Sequence, residues 1–245
     1  MSGPALPRLA VALDAPSLEP LEPIIDALAG LPVLAKVGLS LFCSVGPAVV
    51  HHMHQAGLPV FLDLKLHDIP HQVGLAVRAV ERLDVALLTV HAAGGGDMLR
   101  AAADAARGRT RLLAVSVLTS LGQADLDADG NGAPLADVVA RRCALAHACG
   151  LQGAVLSPRE LSCVQALPAS FLRVTPGIRA CGLGPSDDQR RTLSAAEAIA
   201  AGASLLVVGR PILAAADPRA AALSLLAEIE RAMPTPLGGA DAATT

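Results

Sequence analysis

The chain has 245 residues, 53% of them hydrophobic and 17% charged, with a formal net charge of −3. No uninterrupted apolar stretch approaches the roughly 18 residues of a membrane span, so the apolar excess belongs in a core. With no Trp, no Tyr and a slight acidic excess, the sequence offers neither a basic footprint nor a stacking platform for nucleic acid.

The N-terminus, MSGPALPRLAVALD, has no basic segment ahead of an apolar one and reads directly into a strand, so no secretory signal is expected. Strands buried on both faces read as continuous Val/Ile/Leu runs. Eight such runs follow one another: RLAVALD from Arg8, VLAKVGL from Val33, PVFLDLKLH from Pro59, VALLTVHA from Val85, RLLAVSVL from Arg111, GAVLSP from Gly153, FLRVTPGI from Phe171 and SLLVVGRP from Ser204. Segments with helical spacing separate them, among them LEPLEPIIDALAG, VGPAVVHHMHQAG, IPHQVGLAVRAVERL and PLADVVARRCALAHACG. Pro70 suits a first helical turn, and Gly30, Gly57, Gly150 and Gly202 stand where helices should end. This α/β alternation predicts a single (β/α)8 TIM barrel over residues 1–233, with a doubly wound open sheet as the alternative. The remaining residues, 234–245, lack periodicity and read as a disordered tail. Five cysteines (Cys43, Cys143, Cys149, Cys163 and Cys181), odd in number and without a C-x-x-C pair, read as reduced packing thiols of a cytoplasmic protein.

Polar residues inside these runs gather at one end. Asp14, Lys36, Asp63, Lys65, His91, Thr119, Ser157, the PGIR segment and Gly209 with Arg210 all fall at or just past the C-terminal ends of strands, the rim on which barrels build active sites. The loops after strands five and seven, TSLGQADLDADGNGAP and RACGLGPSDDQRR, are long and polar, as mobile covers would be.

Only two lysines occur, Lys36 and Lys65, against 17 arginines, and both lie in apolar runs. Lysine can release a proton where guanidinium cannot. Alternation along strand three puts Asp63 and Lys65 on one side, Lys36 is at a similar level on strand two, and Asp68 follows in the next turn. The spacing therefore predicts a Lys-Asp-Lys-Asp cluster in which opposite charges keep one another ionised. A buried ion-pair network with no chemical role is the plainer alternative, but such networks contribute little to stability.

Two arginine-bearing turns, TPGIRA with Gly177 and Arg179 and VVGRPI with Gly209 and Arg210, follow strands seven and eight, where barrels commonly hold phosphate. They point to a phosphorylated small substrate. His51, His52 and His54 read as a surface cluster, and His67 with His71 straddles Pro70; no metal site is expected from either group.

The segment DLKLHDIP (Asp63 to Pro70) resembles the signature of the orotidine 5'-phosphate decarboxylase family. LAVALD, AKVGLSLF, TVHAAGG, VSVLTS, VTPGIR, DQRR and VVGRP resemble further segments of that family, in its order. The resemblance implies decarboxylation of orotidine 5'-phosphate to UMP without a cofactor, with Lys65 as the acid that protonates C6 and Asp63 beside the substrate carboxylate. It assigns Lys36 and Asp14 to the ribose hydroxyls, Ser157 and Pro176 to the pyrimidine, Gln189 to a bridge between base and phosphate, and Thr119 to another ligand contact. Gly177, Arg179, Gly209 and Arg210 become the phosphate grip, while Asp68 and Ile69 reach the neighbouring site of a homodimer. Gln72 departs from the family, which commonly has threonine at that position. Left open are a sugar-phosphate decarboxylase or synthase of the same superfamily, a Schiff-base aldolase, and a catalytically silent nucleotide-binding barrel.

Overall fold

The computed structural model describes residues 6–179 and 193–233, with Arg179 described by its backbone alone. All eight apolar runs are strands: β1 (Leu9–Ala12), β2 (Val33–Gly38), β3 (Val60–Leu66), β4 (Leu87–His91), β5 (Arg111–Val115), β6 (Gly153–Val155), β7 (Leu172–Thr175) and, after two short strands described below, β10 (Leu205–Val208). They pair in parallel in the order β1-β10-β7-β6-β5-β4-β3-β2 and close into a barrel, which excludes the open sheet. Closure runs through Leu9 opposite Leu206 and Val11 opposite Val208. Every strand needs partners on both edges, and with eight of them no edge is left exposed.

Side chains divide by alternation. One set, with Ala10, Leu34, Phe61, Leu87, Leu113, Val174 and Leu205, fills the barrel interior. The other, with Val11, Val33, Leu62, Leu88, Leu112 and Leu206, packs outward against the helices. Pro70 does open a helix, Pro70–Glu81, where its missing N–H costs nothing. Gly57 adopts φ +73° at the end of the helix Ala48–Gln55, its N–H bonding the carbonyl of His54 at 2.9 Å and that of Leu58 reaching Met53 at 3.0 Å.

Two elements differ from the expectation. The loop after β5 contains a helical turn, Gln123–Ala128, pinned by the Gln123 side chain, which accepts the Leu135 N–H at 2.7 Å and donates to Asp127 at 2.8 Å. Past β7 the chain forms a two-residue strand, β8 (Ile178–Arg179), paired in parallel with β9 (Leu193–Ser194). The loop between them, residues 180–192 with Gln189, lies outside the described residues, as does the 234–245 tail. No described helix is long and apolar enough to cross a membrane.

Candidate active site

The charged cluster is the interior face of the barrel carried two residues further. On β2 the inward series passes from Leu34 to Lys36, on β3 from Phe61 to Asp63, and on β4 from Leu87 to Thr89. Lys36 Nζ stands 3.2 Å from Asp14 Oδ1 and 3.6 Å from Asp63 Oδ2. Lys65 Nζ donates to the same Asp63 Oδ2 at 2.8 Å. The other Asp63 oxygen, Oδ1, accepts from the Thr89 hydroxyl at 2.9 Å. Alternating charges thus run Asp14, Lys36, Asp63, Lys65, and sum to zero.

Lys65 reaches this cluster by a route that simple alternation does not describe. Its φ is +51°, and with Asp84 it is one of two non-glycine residues of positive φ among the described residues. The pairing of β3 with β4 slips between Leu62 and Leu66, so Lys65 lies in a bulge whose N–H is received by Thr89 Oγ1 at 2.8 Å. A left-handed non-glycine residue costs about 1–3 kcal/mol and persists only where its surroundings hold it. Asp63 and Lys65 do meet, but the bulge and its cross-strand hydroxyl bring them together.

Electrostatics centre on Asp63. Burial by itself would raise its pKa; the ammonium groups of Lys36 and Lys65, with the hydrogen bonds from Lys65 and Thr89, outweigh that and hold it below the usual carboxylate value. Asp63 therefore stays ionised and keeps both lysines oriented. His91, the last residue of β4, is pushed down to about 4 by burial and by the nearby His67, Arg142 and Lys65, so it is neutral at pH 7. Its Nδ1 accepts the Ala93 N–H at 3.2 Å, and its ring stacks on His67 at 5.1 Å.

Around this centre the rim carries the other expected positions. Ser157 follows β6 and is fully buried, and its Oγ has no hydrogen-bond partner among the described residues. A buried hydroxyl of that kind needs a partner, which a ligand can provide. Pro176 and Gly177 follow β7, Gly177 at φ +82°, and Arg179 sits in β8. Gly209 caps the short helix Arg210–Leu213 with Arg210 exposed, and Thr119 lies half-buried in the turn after β5. Asp68 is not brought into the cluster. It is exposed, accepts the Ile69 N–H at 2.6 Å, and among the described residues pairs with neither lysine of its own chain. Asp14 occupies the fourth place instead. Ile69, 62% exposed, and Gln72 also face away from the chain's own core. His51 is exposed and His52 pairs with Glu22 at 3.0 Å. Among the described residues, no group of three or more His, Cys, Asp or Glu is gathered as metal ligands would be.

The family described as orotidine 5'-phosphate decarboxylase / HUMPS matches residues 7–225. The chain belongs to this family. An orotidine 5'-phosphate decarboxylase of Halorhodospira halophila is 48% identical over 236 residues, 95% of this chain and 100% of the relative. That of Moorella thermoacetica is 46% identical over 233 residues, 91% of this chain and 92% of the relative. Among solved structures, the orotidine 5'-phosphate decarboxylase of Lactobacillus acidophilus superposes with a TM-score of 0.80 at 35% identity, covering 90% of this chain and 98% of that one. The decarboxylase from Pyrococcus horikoshii, 23% identical with a TM-score of 0.75, shares the fold. The chain is accordingly an enzyme of the carboxy-lyase class.

Two further contributors to the cluster, Thr89 and Gly38, are not among the residues that the sequence singles out. Thr89 stands on the inward series Leu87, Thr89, His91, so alternation along β4 was a usable signal. Gly38 was not marked by any signal. A Cβ there would stand 2.7 Å from Asp14 Oδ1 and 3.4 Å from Lys36 Nζ, so the bare backbone leaves room for that pair.

Proposed function

We propose that the chain converts orotidine 5'-phosphate to UMP and CO2 without a cofactor, with Lys65 as the proton donor. The observation that carries this reading is the single Asp63 oxygen held 2.8 Å from Lys65 and 3.6 Å from Lys36. A substrate carboxylate brought beside the ionised Asp63 is repelled by it, while the carbon it is attached to lies against fixed ammonium charge. As the C6–carboxylate bond breaks, its electron pair stays on C6 and CO2 departs. The proton on Lys65 Nζ then moves to C6, and the neutral amine recovers a proton from water.

General acid catalysis contributes about 10² to 10⁴-fold, roughly 3 to 5.5 kcal/mol at 1.36 kcal/mol per decade, against the ~8 to 23 kcal/mol that enzymes typically supply. Proton delivery is therefore one part of the barrier reduction. Preorganised charge at the developing carbanion supplies another, and phosphate binding by Arg179, Arg210 and the Gly177 and Gly209 turns a third, since remote binding energy can be applied at the reacting centre. On this reading Asp14 and Lys36 hold the ribose, Ser157 and Pro176 the pyrimidine, and Gln189 bridges base and phosphate, with Thr119 a further contact. The active form is a cytoplasmic homodimer in which Asp68 and Ile69 reach the neighbouring site, and Gln72, as amide donor and acceptor, stands in for the family's threonine.

The test is to follow orotidine 5'-phosphate absorbance after adding purified protein in EDTA. Its loss, abolished by Lys65→Ala, is expected. An intact protein that leaves the nucleotide unchanged both with and without EDTA would sink the reading, and turnover seen only without EDTA would sink its cofactor-free part.

A further inference from the structure

Thr89 is fully buried on β4, and its hydroxyl serves two groups of the neighbouring strand. It accepts the backbone N–H of Lys65 at 2.8 Å and donates to Asp63 Oδ1 at 2.9 Å. A hydroxyl has one proton and two lone pairs. An ionised carboxylate can only accept, so the proton goes to Asp63, and a lone pair is left for Lys65 N–H.

Both contacts fix something the chemistry needs. Lys65 is left-handed at φ +51° where β3 slips against β4, and the Thr89 oxygen anchors that bulge from across the strand gap. A relaxed, extended backbone at residue 65 would redirect its whole side chain. On Asp63, tying Oδ1 to Thr89 sets the rotation of the carboxylate, and that turns Oδ2 toward Lys65 at 2.8 Å and Lys36 at 3.6 Å. One oxygen thus governs the backbone from which the ammonium projects and the carboxylate on which it rests.

We propose that Thr89 is a positioning residue of this site, locking the bulged backbone of Lys65 and the carboxylate of Asp63 together so that the Lys65 ammonium stands where the reacting carbon will be. The inference rests on the decarboxylation reading above. Valine is nearly isosteric with threonine but offers neither donor nor acceptor, and serine keeps the hydroxyl while losing the methyl.

Steady-state decarboxylation, UMP affinity by titration calorimetry and thermal melting are to be compared for the unaltered protein, Thr89→Val and Thr89→Ser. Misplacing a catalytic group by about 1 Å can cost 10²-fold, so Thr89→Val should lower kcat about 10 to 100-fold. Serine should recover kcat to within about threefold, and UMP affinity should stay within about threefold of the original in both variants, since the reaction step and not ground-state binding depends on this placement. An unchanged kcat in Thr89→Val, a serine variant as poor as the valine one, or UMP affinity falling in step with kcat would each overturn the proposal. If the valine variant fails to fold, Thr89→Ala carries the same comparison. A crystal structure of the valine or alanine variant reads the geometry without reference to the reaction: the Lys65–Asp63 contact should open beyond hydrogen-bond distance, and its persistence would refute the positioning role. Failure of the unaltered protein to turn over would instead count against the decarboxylation reading, with that crystallographic result still deciding the role of Thr89.

Discussion

A methyl group on Gly38 would stand 2.7 Å from Asp14 Oδ1, yet the crowded atom is the end of a side chain that is 61% exposed and free to swing away. Gly38 also has φ −90°, a conformation any residue adopts. Stability should therefore change by no more than about 1 kcal/mol in Gly38→Ala, the size of an exposed ion pair. Function should suffer more. On the proposed function a displaced Asp14 loses both Lys36 and a contact to the ribose, and a hydrogen bond to a charged group is worth about 1.5–3 kcal/mol, so KM for the nucleotide should rise at least about tenfold with kcat little changed. Measured KM and melting temperature check this. A large loss of stability with KM intact would show Gly38 to be a packing residue. Lys36 and Lys65 stood out in the sequence because arginine fills every other basic position, whereas Thr89 and Gly38 act through what they touch and through what they leave unoccupied, which composition does not reveal.

Strand β6 is three residues long, and its first, Gly153, is paired with Leu113 of β5 on one side and Leu172 of β7 on the other. A Cβ there would meet Leu172 O at 2.5 Å, Leu172 Cβ at 2.6 Å and Leu113 Cδ2 at 2.8 Å. Because one of those atoms is backbone, the barrel wall itself must shift, and Gly153→Ala should cost about 1–3 kcal/mol or more, as overpacking does. Urea denaturation measures it. Gly132→Ala is the control, since nothing lies within 4 Å of its Cβ position and removing glycine freedom should be neutral or slightly stabilising. A Gly153 variant as stable as the control would refute the close approach. The eight barrel strands were legible because a strand buried on both faces has to be an unbroken apolar run, and the closed barrel followed from their alternation with helices. The turn at 123–128 was hidden because the Gln123 contacts that hold it come from ten and twelve residues away. The pair β8 and β9 is too short for any periodicity. At Lys65 the contact with Asp63 is not the product of simple alternation, because the bulge that makes it depends on a hydroxyl 24 residues further along the chain.

At the scale of the whole molecule, Asp68 and Ile69 stand apart from the chain's own cluster although they directly follow the strand that carries it. Ile69 is 62% exposed, and Leu39, which follows β2, and Leu75, on the helix that starts at Pro70, are 50% and 43% exposed. If Asp68 and Ile69 reach across a two-fold axis as proposed, each site takes Lys65 from one subunit and Asp68 from its partner, and the two variants Lys65→Ala and Asp68→Ala should complement one another. Both sites of either variant homodimer lack one group. In a hybrid dimer one site lacks both and the other is complete. Random association of equal amounts makes about half the dimers hybrid, so co-refolded variants should recover about a quarter of the unaltered activity under a two-fold arrangement. Were Asp68 instead to serve the site of its own chain, each hybrid site would lack one group, and co-refolding would yield only the mean of the two weak parents. Kinetics on the co-refolded mixture, against the same variants mixed without unfolding, separates the two arrangements.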